Sequence, residues 1–179
     1  NGDGTLNIIG GTIGATTGTT GIAVSVTSGS GDVSIGASIT NSSGNVLRAL
    51  AARTGTVTLS GAINDTGSGI VISNQTGSTF NFTNASKVFS TGANDAITLT
   101  SNTGATINFT GGGLDIDTTT GTGFTATGGG TVTVTGAGNS IASTGGAAVS
   151  MDGVTIGAGG ATFASIASGG GTNGISLQH

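Results

Sequence analysis

Apolar residues recur at every second position in short runs along the chain: IAVSV (22–26), VSI (33–35), TVTL (56–59), TFNF (79–82), AITLT (96–100), TINF (106–109), FTAT (124–127) and TVTVT (131–135). Such alternation, bounded by Gly, Asn and Ser, predicts half-buried β-strands, and Val, Ile and Thr suit a pleated surface. A helix has one candidate, VLRALAA (46–52). It is short, with strand patterns on both sides, so its Ala and Leu propensity weighs little.

The runs repeat. Strands of the TVT type begin near Asp32, Thr56, Thr79, Thr106, Thr131 and Val154, a period of roughly 25 residues and within the range of repeat architectures. In step with them run Ile22, Val46 or Leu47, Ile70, Ile97, Phe124, Val149 and Ile175, each opening a strand. A third series follows the TVT strands: Ile39, Ile63, Val88, Leu114, Ile141 and Phe163.

Three short strands joined by Gly, Ser and Asn corners make one rung of a triangular coil. The fold expected is therefore all-β, a parallel β-helix (β-solenoid) with about 25 residues and three strands per coil and roughly seven coils. Ile97 with Leu99, Ile107 with Phe109, and Leu114 with Ile116 point inward, while Thr98, Thr106, Asn108, Asp115 and Asp117 point out. A sandwich or propeller would use antiparallel hairpins with Asn-Gly or Asp-Gly turns between paired strands. One coil alone buries too little to offset its ordering entropy, so neighbours must stabilise one another. Residues 1–179 read as a single solenoid segment. NGDGTLNIIGG already has repeat style and GISLQH reads as the first strand of a further coil. With no helix, charged cap or Pro to close a strand edge, the expectation is continuation in a longer array or self-association through the solenoid ends.

The segments GATINFTGGGLDIDTTTGTGFTATGGGTVTVTGAGNSI and VTIGAGGATFASIASGGGTNGI resemble the β-strand repeats of very large secreted or cell-surface bacterial proteins, similar to filamentous haemagglutinin-like adhesins and autotransporter passengers. The likeness covers nearly the whole chain, least clearly residues 44–53. It implies a stalk whose binding chemistry lies elsewhere, an extracellular or cell-surface location, and no shared catalytic residues.

Composition removes most chemistry. Cys, Glu, Trp and Tyr are absent, and the single histidine is His179. Thiol nucleophiles, a Ser-His-Asp triad and histidine zinc sites are thereby disfavoured. Parallel β-helices also house polysaccharide lyases and hydrolases, which need paired carboxylates, or calcium with a basic residue, along one groove. The one such pair is Asp115 and Asp117, two apart on one strand and so on one face at about 7 Å. No Arg, Lys, His or aromatic residue lies near them in sequence to raise a pKa or hold a sugar. A non-enzymatic chain is expected, with Asp115 and Asp117 as the only calcium candidate beside a plain solvated pair. NGDGT (1–5) lacks the distal acidic ligand of a calcium loop, and the GGG runs at 111–113 and 128–130 lack the GK[ST] of a phosphate loop. No other cofactor is implied.

Only Arg48, Arg53 and Lys87 are basic, and the net charge is −4. Such a field repels phosphate polymers, and no aromatics are interleaved for base stacking, so nucleic acid is not an expected partner. Arg48 is expected to face outward or bridge to a corner carbonyl, and Arg53 to head a turn. No stretch is long and apolar enough to span a bilayer as a helix. The expected role is an extracellular stalk or fibre module. The alternative is an adhesin face that contacts surface glycan. A third reading takes the rows of Thr56, Thr79, Thr106 and Thr131 as a water-ordering, ice-binding array.

Overall fold

The computed structural model describes residues 4–14 and 21–178. Every element in them is a strand. The first two coils hold β1 (Leu6–Ile8), β2 (Thr12–Gly14), β3 (Val24–Val26), β4 (Val33–Ile35), β5 (Ser38–Asn41) and β6 (Leu47–Ala49). Next come β7 (Thr56–Leu59), β8 (Ile63–Asp65), β9 (Ile70–Ser73), β10 (Thr79–Phe82), β11 (Lys87–Gly92) and β12 (Ile97–Thr100). β13 (Thr106–Phe109), β14 (Leu114–Thr118), β15 (Phe124–Thr127), β16 (Thr131–Val134), β17 (Ser140–Ser143) and β18 (Val149–Asp152) follow. The last coil is β19 (Thr155–Ala161), β20 (Ser165–Ser168) and β21 (Ile175–Gln178).

Each strand pairs with the third before it and the third after it, always in parallel. Three seven-stranded sheets result: β1-β4-β7-β10-β13-β16-β19, β2-β5-β8-β11-β14-β17-β20 and β3-β6-β9-β12-β15-β18-β21. This is the expected β-solenoid of about seven coils. Residues 46–52 form no helix, and Leu47–Ala49 is a strand with Leu47 and Ala49 inward and Arg48 outward.

Alternation decides what is inside. Val57, Phe80, Ile107 and Val132 form one inward column of the first sheet, and Leu59, Phe82, Phe109 and Val134 the other. These side chains are at most 1% exposed. Opposite them, Ile72, Leu99, Ala126 and Met151 line the third sheet in register. Small Ala126 stands two residues from Phe124 on one strand, so large and small side chains interleave within a narrow tube. Two ladders shift. β19 jumps from Val132↔Ile156 to Val134↔Ala161, and β11 meets β14 with an irregularity between Ser90 and Gly92.

At two corners the chain turns on glycines where nothing larger fits. Gly69 has φ +65°, and a Cβ there would lie 1.8 Å from Ala96 O. Gly113 has φ +63° and is equally closed by Ala85 O at 1.9 Å.

Three sequence positions sit differently from expectation. The third sheet begins its register at Val24, not Ile22. In the second sheet Lys87, not Val88, occupies the inward column between Ile63 and Leu114. In the last coil that sheet uses Ile166 against Ile141, while Phe163 lies ahead of the strand and meets Phe124 edge-on at 6.4 Å.

Candidate functional site

Asp115 and Asp117 both point outward from β14, as their spacing requires. Asp115 is flanked by Val88 and Ser140, and Asp117 by Ser90 and Ala142. The Ser140 hydroxyl donates to Asp115 Oδ1 at 2.5 Å. A shallow hollow of about 320 Å³ beside Asp117 is lined also by Ser90, Thr118, Thr119 and Thr144. Neither carboxylate meets a cation, and no group of three or more His, Cys, Asp or Glu gathers among the described residues. Calcium prefers six to eight oxygens, so two carboxylates on a flat face, one already accepting a hydroxyl, supply a small part of a site. Asn1, Gly2 and Asp3 of the NGDGT motif, and His179, lie outside the described residues.

The threonine rows are real columns. Thr56, Thr79, Thr106, Thr131 and Thr155 stand in direct register, with Ser34, Thr58, Asn81, Asn108 and Thr133 beside them. Asn108 Nδ2 donates to Asn81 Oδ1 at 2.9 Å, linking two coils through their outer side chains. From Thr56 to Thr155 no charged residue interrupts either column, and Asp32, which accepts from Thr56 N, stands at the near end of the first.

The ionisable groups with altered environments are inside the corners, and the alternation pattern does not reveal them. Lys87 is 1% exposed. Its Nζ donates to Thr110 O at 3.0 Å, to Gly112 O at 2.6 Å and to Asn84 O. Burial pulls its pKa down to about 8. Asp65, fully buried, accepts from Asn41 Nδ2 and Gly67 N at 3.0 Å and from Gly69 N at 2.7 Å. Desolvation raises its pKa, and those three donors oppose the shift.

A further corner, between the third and first sheets, carries Arg53, Gln75 and Asn102 in successive coils. Gln75 Nε2 donates to Ser73 O at 2.8 Å and Ala51 O at 2.9 Å, and its Oε1 accepts from Ser78 Oγ at 3.2 Å. Asn102 Nδ2 donates to Ile72 O at 3.0 Å, and its Oδ1 accepts from Gln75 N at 3.2 Å. Arg53 bridges to a corner carbonyl, Gly31 O, through Nη2. Its Nε and Nη1 are buried with no partner.

No family model, curated protein or solved structure matches the chain. No helix among the described residues is long and apolar enough to cross a membrane, which leaves β-barrels unaddressed.

Proposed function

We propose that the chain is an extracellular, non-enzymatic stalk or fibre module, part of a surface adhesin or filament of the haemagglutinin-like kind. The carrying observation is the parallel stacking of seven strands in each of three sheets, which turns sequence into rod length. At about 4.8 Å per coil, seven coils reach about 35 Å. Every coil is stabilised by the next, so the rod extends by adding coils without redesigning any of them.

The last coil supports continuation. Ile156, Phe163, Ile166, Ile175 and Leu177 surround an apolar hollow of about 310 Å³ at its open side. Ile175 and Leu177 are 51% and 69% exposed there. A following coil, from further chain or from a second copy stacked head to tail, would cover these side chains and pair the edges of β19, β20 and β21.

Electron microscopy of the isolated chain, with antibody labelling of intact source cells, tests the reading. Rods or filaments and surface labelling are expected. A compact particle, or a purely intracellular signal, would overturn it.

The two columns of the first sheet, free of charge from Thr56 onward, favour a second reading, adhesion through that face to neutral glycan. Binding on a glycan array that is lost in a Thr79→Lys, Thr106→Lys variant would place adhesion ahead of the stalk role.

A further inference from the structure

Arg53 leaves a hydrogen-bonding deficit that the fold does not explain. It is 4% exposed, yet only Nη2 has a partner. Among the described residues the one other buried side-chain atom in this condition is the Thr118 hydroxyl. Buried polar atoms without partners are uncommon, and each costs stability unless something else satisfies it. The corner does not impose the deficit, because Gln75 and Asn102 at the same corner reach both donors and acceptors.

Arg53 also lines an open surface hollow of about 280 Å³. Ser25, Thr27 and Ser28 contribute hydroxyl-bearing walls, and Asp32 lines the same space. This volume lies near the roughly 300 Å³ lower end of small-molecule sites, room for one small polar unit.

We infer that this corner binds a small hydroxylated monocarboxylate, such as a uronic acid unit, with Arg53 pairing the carboxylate and Asp32 accepting from a ligand hydroxyl. The planar guanidinium matches the paired oxygens of a carboxylate or a phosphate. Asp32 narrows the choice. Its negative charge faces the hollow and disfavours sulfate or phosphate, while its oxygens suit a donor on the ligand. One oxygen, Oδ1, already takes Thr56 N at 2.7 Å, which fixes the carboxylate in place. Both unpartnered nitrogens are covered, so engagement requires the guanidinium to turn into the hollow that the side chain lines. The single hydrogen bond to Gly31 O is what it must keep or exchange. Burial lowers the pKa of Arg53 and Asp32 opposes that shift, and arginine stays cationic throughout. The site adjoins the end of the threonine column at Thr56, whose amide donates to Asp32, but Thr79 and Thr106, on which the glycan reading rests, do not line it.

The test uses the intact chain and NMR of the arginine Nε protons, of which it has only two, on Arg48 and Arg53. Glucuronate, glucose and sulfate are titrated separately. Glucuronate should move the Arg53 signal saturably in the millimolar range, with glucose and sulfate failing to saturate. Arg53→Gln should weaken glucuronate by at least about tenfold. Asp32→Asn, which leaves Arg53 in place, should keep carboxylate binding and lose the preference over sulfate. A uronate oligomer that binds more tightly than the monomer identifies a polymer source, and equal binding a free hydroxy acid. No saturation up to about 50 mM, equal binding by folded Arg53→Gln, or equal binding of sulfate by the parent chain would overturn the inference.

Discussion

Phe82 stacks on Phe109 with ring centroids 4.7 Å apart and planes inclined by 9°. The two rings occupy equivalent positions in successive coils, so their separation is the coil rise itself. Phe109 then meets Phe124 edge-on at 5.7 Å, which carries the contact across the tube to the third sheet. Both rings of the stacked pair are at most 1% exposed.

Truncating Phe109 should therefore open a cavity at the middle of the rod. Phe109→Ala is expected to cost about 3–5 kcal/mol, read as a lower urea midpoint. A loss below about 1 kcal/mol would mean that the surrounding coils collapse into the gap.

Lys87 makes an alkaline prediction that no other side chain obscures, since the chain has no Cys or Tyr and its other cations are arginines. Its folded pKa, about 8, lies below the ordinary 10.5. The folded chain thus gives up the proton first, and the unfolded chain binds more protons between those values. Stability should rise with pH from about 8, level off above about 10.5 and fall again on return, by at most about 3 kcal/mol. Urea midpoints across that range check it, and Lys87→Met should flatten the slope. The three carbonyls around Nζ favour the ammonium and reduce the size of the rise, not its sign. Amine acylation should leave Lys87 untouched until the chain unfolds.

Gly69→Ala places a methyl against Ala96 O in a left-handed conformation. It should cost more than about 2 kcal/mol. Gly138→Ala shares the positive φ, at +74°, but has open space around the new Cβ. Only the conformational term of about 1 kcal/mol remains there. Equal melting losses in the two variants would show that the backbone conformation, not the close approach, governs these corners.

Calcium should leave the protein unchanged. With two carboxylates and no cluster of three acidic or other metal-ligating side chains among the described residues, millimolar calcium is expected to shift the melting temperature by less than about 1 °C. Asp115→Asn and Asp117→Asn should behave the same way. A larger shift, lost in those variants, would restore the pair as a metal site.

The coil period was legible because inward residues recur at fixed phase, and Thr56, Thr79, Thr106 and Thr131 fall into register as their spacing requires. Lys87 is not, since local alternation puts its apolar neighbour, Val88, inward. The phase of Phe89, buried two positions on, carries the signal that Lys87 lies inside. Asp65 escaped notice for a related reason: a carboxylate on an inward position is tolerated only where Asn41, Gly67 and Gly69 supply donors. Such corner chemistry depends on residues one coil away, beyond the reach of local alternation. The sequence places Arg53 at the head of a turn, and its unpaired nitrogens emerge only from the packed corner.

Because every strand contacts its counterparts a full turn earlier and later, the molecule has a natural unit of growth. Excising one complete turn brings together two edges that already match, and the remaining tube closes over the gap. Dropping a single residue from a strand instead exchanges lining for coating along that segment. Natural length variants of this chain should accordingly differ by whole turns, with smaller insertions placed in the corners or looped out of a strand as in β19.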